Sequence, residues 1–270
     1  MRALTPDLDP VGVAEIDRRL AAVAVEHAVT VPWAVESGSR AWGFPSPDSD
    51  DDCRFLYVRP LEVYASPWPR RDVVETPLDA VFDVSGWDLA KAVRLAARGN
   101  ATVGEWLRSP IVYDGDPAFR DRMLALVGEV ADRAALARHY RHVGAQQWDR
   151  CGAGDAEVAR LKGVLYALRP AATLHWMSGH AGLPPMNLQE LLAEAPPDGD
   201  VLEAVAELVE AKSRTREVGD GRVAAPVRRF VQEWLSGADP ALPRDARPAD
   251  DVVTRAEAGF LTLVREFGPR

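Results

Sequence analysis

Residues 36–58 read ESGSRAWGFPSPDSDDDCRFLYV, and no other stretch restricts the chain as much. Just upstream, VPWAVES at 31–37 is short and rich in β-formers, which predicts a strand running into Gly38-Ser39. FPSPDSDDD at 44–52 holds two prolines, two serines and four aspartates, the composition of a turn. CRFLYVR at 53–59 predicts the next strand. Side chains alternate along a strand, so Asp50 and Asp52 are expected on one side and Asp51 on the other. Two carboxylates beside a turn of small residues suit a hard divalent cation such as Mg²⁺, which completes its shell with water and phosphate oxygens. Gly38-Ser39 permits close backbone approach, and N–H groups at the start of a short helix there suit a phosphate. Taken alone, an acidic run of this kind is more often a solvated turn.

The rest of the chain supplies a third carboxylate. AVFDVSG at 80–86 predicts a third strand, with Asp83 set between Phe82 and Val84. A charge in an apolar strand is expensive to bury unless it is paired or ligates a metal. Around these strands the spacing predicts helices over 11–29, 87–99 and 103–107, and a strand over 111–113. Beyond residue 116 helical patterns dominate, over 117–128, 132–150, 156–180, 187–195, 199–216, 223–236 and 250–267. Pro184-Pro185, Pro196-Pro197 and the segment 239–248 punctuate them. The organisation expected is a mixed α and β module over 1–115 and a helical module over 116–270.

Composition narrows the function classes. The formal net charge is −9, which argues against a surface that binds nucleic acid everywhere and leaves room for a local basic channel. No apolar run approaches the ~18–20 residues of a membrane span, and no signal peptide is read at the N-terminus. Two cysteines, Cys53 and Cys151, are too few for a disulfide framework or a cysteine zinc site, so a cytoplasmic setting is expected.

The pattern of Gly-Ser, a gap, Asp-x-Asp entering a strand and a later strand Asp resembles the DNA polymerase beta nucleotidyltransferase superfamily. Within it, the chain resembles the RNA repair pathway DNA polymerase beta family. The likeness rests on 36–58, on FDVSGWDLAKAVRL at 82–95 and on GNATVGEWLRSPIVY at 99–113. It continues more weakly through ARHY at 137–140, LKGVLYALRP at 161–170, PPMNLQELL at 184–192 and LVEAKSRTRE at 208–217. The resemblance implies an α+β fold: a polymerase-beta-like palm with a mixed sheet and helices, followed by an all-α C-terminal domain. It implies that Asp50 and Asp52 hold two Mg²⁺ (or Mn²⁺) ions and that Asp83 completes the site of the ion that activates the attacking oxygen. Gly38 and Ser39, with Arg40 beside them, would contact the triphosphate of an NTP substrate. Asp51 stands where an aromatic or apolar residue is expected between the two ligands.

Three carboxylates support two-metal transfer of a nucleoside monophosphate from an NTP to a hydroxyl. Residues 132–169 hold seven Lys/Arg against four Asp/Glu, whereas 186–221 hold nine acids against three bases. The first stretch is thus the better candidate to face a triphosphate or an RNA end. Within it Lys162, Tyr166 and Arg169 share a helical face and form a nucleotide-binding candidate. A basic face snorkelling over the core is the bland alternative. Only three of the 32 basic residues are lysines: Lys91, Lys162 and Lys212. Lys162→Ala is expected to raise the NTP Michaelis constant more than Lys212→Ala does. Trp42, Trp87 or Trp106 could stack a base, and His139 and His142 share a helix face without making a metal site.

The favoured acceptor is an RNA end in repair or processing, an expectation carried by the resemblance. A protein acceptor, modified as antitoxin-like adenylyltransferases of the superfamily do, suits the acidic surface at least as well. A non-catalytic NTP sensor is a separate reading, disfavoured by the complete Asp50, Asp52 and Asp83 set, and a small-molecule acceptor such as an aminoglycoside has no sequence feature in its favour. Nothing in the chain indicates the oligomeric state.

Overall fold

A computed structural model describes residues 1–77, 81–154, 156–214, 219–237 and 247–269. Helix α1 (Pro10–His27) starts where the Asp9 carboxylate accepts the Val11 N–H at 3.0 Å, with Pro10 in the first turn. It ends at Ala28 in the left-handed region, φ 50°. There follow β1 (Thr30–Glu36), α2 (Gly38–Ala41), β2 (Asp51–Val58), α3 (Leu61–Tyr64), β3 (Val73–Glu75), β4 (Phe82–Asp88), α4 (Leu89–Ala97), α5 (Thr102–Leu107), β5 (Val112–Gly115) and α6 (Pro117–Val130). The remainder is α7 (Arg133–Cys151), β6 (Val158–Arg160), α8 (Leu161–Gly179), α9 (Leu188–Glu194), α10 (Gly199–Arg214), β7 (Asp220–Arg222), α11 (Ala225–Leu235) and α12 (Asp250–Phe267). The fold is α+β, a mixed sheet with helices followed by a helical C-terminal part.

Several boundaries move for physical reasons. Trp87 and Asp88, expected in a helix, end β4 opposite Leu56 and Tyr57, and Asp88 then caps α4 by accepting the Ala90 N–H at 2.8 Å. Residues 158–160, expected in the helix over 156–180, instead pair antiparallel with 220–222. That small ribbon depends on a partner some sixty residues away, which local periodicity cannot reveal. Short α3 and β3 carry too few residues to show a period. Ala80, residues 215–216 and most of the segment 239–248 lie outside the described residues.

The chain falls into two units, each assembled from separated stretches. The first comprises Met1–Gly38, Asp50–Asp132 and Asp245–Arg270. The second comprises Ser39–Ser49 and Arg133–Arg244.

The first unit is built on the five-stranded sheet β3-β4-β2-β1-β5. Strand β1 runs antiparallel to β2 and β5, β3 runs antiparallel to β4, and β2 and β4 are parallel. Alternation assigns the two faces of β2. Cys53, Phe55 and Tyr57 join Ile16, Leu20 and Val23 of α1 in one core cluster, with Val84 of β4 and Tyr113 of β5. Opposite Phe55 the chain has Gly86, where a Cβ would collide with the Phe55 ring. The intervening residues, Asp52, Arg54 and Leu56, point to the other face.

A buried ion pair braces the far end of the two parallel strands. Arg59 Nε donates to Asp88 Oδ2 at 2.8 Å, and both residues are buried. Arg59 also donates to the Arg71 carbonyl and to the Tyr57 hydroxyl. The C-terminal helix α12 packs back on this unit through Phe260 against Tyr64 and Phe267 against Phe119.

The second unit centres on α7 and α8. Gly144 of α7 lets Leu235 of α11 and Pro170 of α8 approach closely. The segment 39–49 belongs here because its backbone is held by α9: Leu188 N–H donates to the Trp42 carbonyl at 2.9 Å, and Asn187 donates to the Ala41 carbonyl at 3.3 Å.

Candidate functional site

In the first unit, Asp52 and Asp83 are register partners on adjacent parallel strands. Phe82 and Val84 pack on the α1 side of the sheet, so Asp83 between them points to the face that carries Asp52. Arg54, two residues on from Asp52, reaches both: Nη2 lies 2.6 Å from Asp83 Oδ2 and 3.3 Å from Asp52 Oδ1. Asp51 points the other way, toward Gly12 of α1, where a Cβ would approach its Oδ2 to 3.1 Å. A bulkier residue at 51 would press on α1, and Gly12 makes room for the carboxylate. Asp50 precedes β2 and is exposed.

Gly38 explains itself geometrically. It has φ 70°, and a Cβ there would collide with the Asp52 carboxylate. Ser37 N–H donates to the Asp52 carbonyl at 2.8 Å and ties the turn to the strand. The Asp52 carboxyl is raised above the usual range: burial is the largest cause, Arg54 opposes it, and Asp83, Asp50 and Asp51 add to it.

Beneath these groups lies a carboxyl that sequence reasoning missed. Glu36, the last residue of β1, is fully buried. Its Oε2 accepts the Tyr113 O–H at 2.6 Å, and its Oε1 accepts the Asp52 N–H at 3.2 Å. Burial pushes it from 4.5 to about 8, against the pull of those two hydrogen bonds. Its carboxyl thereby fixes the backbone from which the Asp52 side chain projects. The signal available in the sequence was a lone acid closing the apolar run Trp33-Ala34-Val35.

The carboxylate oxygens of Asp52 and Asp83 are hard donors of the kind a divalent cation takes, and the absence of a Cβ at Gly38 keeps the space beside Asp52 clear. Among the described residues no group of three or more His, Cys, Asp or Glu side chains is placed to hold a metal ion by itself. Arg54 takes up the charge of Asp52 and Asp83 in this arrangement.

The second unit holds the other sequence candidates. Ser39 is buried, and its Oγ lies 2.8 Å from Ser49 Oγ. Arg40 donates to the Ser49 carbonyl at 2.7 Å. Tyr166 meets the Trp42 ring edge-on with centroids 5.2 Å apart, and Phe44 flanks both. Arg169 is buried over Trp42, 4.6 Å from its centroid. Lys162 is exposed, with Nζ 6.0 Å from the Tyr166 ring. Lys212, at the end of α10, is buried against the same rings.

The other candidates lie elsewhere in the two units. Trp87 and Trp106 contact one another at 4.4 Å in the first unit. In the second unit, His139 meets Tyr140 at 6.0 Å and His142 Nε2 lies 2.8 Å from Gln146. Cys53 is buried, and burial pushes its thiol well up, so it is a core residue.

Residues 13–259 match the description RNA repair pathway DNA polymerase beta family. The chain belongs to this family. The match takes in every segment on which the sequence likeness rested. It also takes in both units, so the helical part belongs to the family's common body. The chain is similar as well to an uncharacterized protein of Bacillus subtilis (strain 168), YcgL: 35% identical over 240 residues, covering 89% of this chain and 92% of that protein. Among the described residues no helix is long and apolar enough to cross a membrane.

Proposed function

We propose that the chain is a metal-dependent nucleotidyltransferase that moves a nucleoside monophosphate from an NTP to a hydroxyl, with an RNA end as acceptor. The observation that carries this reading is the register of Asp52 with Asp83 on adjacent parallel strands, beside a glycine whose Cβ would strike Asp52. The family's name supports RNA as the acceptor class.

In this reading Asp50 and Asp52 hold Mg²⁺ or Mn²⁺, and Asp83 joins them as the third ligand. When bound, such ions lower the pKa of the attacking hydroxyl and stabilise the leaving pyrophosphate. The chain's own residues do the rest. Glu36 and Ser37 hold the backbone of Asp52 in place. Arg54 balances the charge of Asp52 and Asp83. Gly38 lets a phosphate come close. In the second unit Ser39, Arg40, Lys162, Tyr166 and Arg169 are the proposed contacts for the nucleotide. The acceptor oxygen forms a bond to the α-phosphorus, the bond to the pyrophosphate oxygen breaks, and the hydroxyl proton passes to solvent.

Incubation with α-³²P NTPs, Mg²⁺ or Mn²⁺, and mixed RNA and protein acceptors tests this. Label transferred to RNA by the wild type and lost in Asp50→Asn, Asp52→Asn and Asp83→Asn supports the reading. Label on protein alone moves the acceptor to the antitoxin-like class. Tight NTP binding with no transfer to any acceptor identifies a sensor instead. Pyrophosphate release unchanged in the three variants overturns the site.

A further inference from the structure

Trp68 of the first unit is 80% exposed, whereas every other Trp, Tyr and Phe among the described residues is buried or partly buried. Its indole meets no other ring and no cation among the described residues. One exposed ring alone would be ordinary. This one stands on a rigid stem beside a row of cations.

The stem is the loop between α3 and β3, which reads Ser66-Pro67-Trp68-Pro69-Arg70-Arg71. Prolines on both sides of Trp68 restrict the backbone, and Ser66 Oγ accepts the Trp68 N–H at 3.3 Å. The foot of the loop is tied to the buried Arg59–Asp88 pair. Arg59 Nη2 donates to the Arg71 carbonyl at 2.9 Å, and the Asp88 N–H donates to the Asp72 carbonyl at 3.0 Å. A ring held in this way has little freedom to lose on binding.

The cations come from the loop and from α4. Residues 89–104 contain Lys91, Arg94 and Arg98 and no acid. Their spacing of three and four residues sets them on one face of α4 and its C-terminal cap. Asp72, four residues after Trp68, receives Lys91 at 3.3 Å and Arg94 at 2.8 Å, which joins the loop and the stripe into one surface. Arg70 and Arg98 are exposed and have no acidic partner among the described residues. In a chain of net charge −9 this surface is locally basic.

We propose that Trp68, Arg70 and the α4 stripe of Lys91, Arg94 and Arg98 form a platform for unpaired RNA. The indole stacks on a base face, and the cations follow the phosphates. A duplex buries its base faces against one another, so the platform selects single strands. The prolines and arginines around Trp68 supply no apolar rim of the kind that seals a protein hot spot from water. Strand β4 carries Asp83 near its start and Asp88 at its end, roughly 17 Å apart along the strand. The platform is anchored at the Asp88 end, so it grips the RNA away from the reacting hydroxyl. For its natural ligand the inference rests on the reading of an RNA end as acceptor.

Fluorescence anisotropy of the full chain in EDTA tests this, with a labelled single-stranded RNA of about 12 nucleotides and a blunt RNA duplex of the same length as separate probes. The wild type binds the single strand more tightly than the duplex. Trp68→Ala weakens the single strand by about tenfold, and Trp68→Phe, which keeps a ring, by less. Arg70→Gln and Arg98→Gln each lower the slope of log affinity against log salt by about 0.7. All of these side chains are exposed, so Tm stays at the wild-type value. Wild-type affinity in Trp68→Ala overturns the proposal, as does an equal loss for single strand and duplex. A protein acceptor that takes label while the single strand goes unbound puts a protein on this surface and also overturns it. Single-stranded RNA bound through Trp68 with no nucleotide transferred defeats the reaction and leaves the platform. Transfer to RNA with affinity indifferent to Trp68 defeats the platform alone.

Discussion

The guanidinium of Arg54 lies 2.6 Å from Asp83 and 3.3 Å from Asp52, so one cation serves two carboxylates on neighbouring strands. It supplies from within the chain the positive charge that a divalent ion would otherwise bring.

Arg54→Gln therefore makes the carboxylates a better cation site. Asp83 is 44% exposed in its side chain, so solvent screens much of the interaction. Allowing for that screening, the gain is about 1 kcal/mol, or roughly fivefold in Mn²⁺ affinity. Mn²⁺ titration followed by electron paramagnetic resonance measures it. An affinity that falls or stays level shows that Arg54 does not compete with a cation.

Glu36 links stability to pH. Its folded value is about 8 and its ordinary value 4.5, so between them the folded chain carries the extra proton. The stability this contributes is whole below 4.5 and is lost as pH rises through about 8. The full span is on the order of 5 kcal/mol. Glu36→Gln, which cannot ionise, should remove most of that slope. Urea melts in EDTA at several pH values across this window check it, and equal slopes in the two proteins would falsify the assignment.

Gly38→Ala should harm activity far more than stability. The added methyl meets the Asp52 carboxylate, and the left-handed backbone adds about 1 kcal/mol of strain. A displacement of the carboxylate by about 1 Å is enough to cost roughly 100-fold in kcat. Turnover near the wild-type rate in a folded variant would remove Gly38 from the site.

Asp88→Ala should be among the most destabilising single changes. It strands the buried guanidinium of Arg59 and removes the cap of α4. The expected loss is about 3–5 kcal/mol, most of it from the uncompensated charge. Asp88→Asn retains an acceptor for the Ala90 N–H and should cost less. Chemical denaturation of both ranks them, and a loss under about 1 kcal/mol in Asp88→Ala would contradict the buried-pair account.

The strands and the acidic turn were legible because each is a local pattern. The alternation of Asp51, Asp52 and Cys53 placed Asp51 opposite Asp52, and β2 has that arrangement. Helices α6, α9, α11 and α12 fall close to their expected spans because apolar spacing and capping residues are written within each segment. The ribbon of 158–160 with 220–222 was not legible, since neither short segment has a pattern of its own. The role of Glu36 and the burial of Lys212 escaped for a related reason. A lone acid at a strand end and a lone lysine on an apolar stripe look like ordinary surface residues until the partners that cover them are known.

By itself, then, the sequence determined residue identity at short range: a Gly-Ser turn, an acid-rich loop, a strand with an Asp in it, and helices beyond. Those follow from period, turn chemistry and capping, which act over a few residues. Tertiary structure alone decided which residues met. Parallel pairing set Asp83 beside Asp52. Burial at the end of β1 raised the Glu36 carboxyl well above its ordinary range and set it against the Tyr113 hydroxyl. Packing of the segment 39–49 with α8 and α10 set Trp42 and Lys212 on one aromatic cluster, each without an acceptor among the described residues. Burial and pairing depend on the whole surround, so a charge acquires its cost, and with it its function, only once the chain has folded around it.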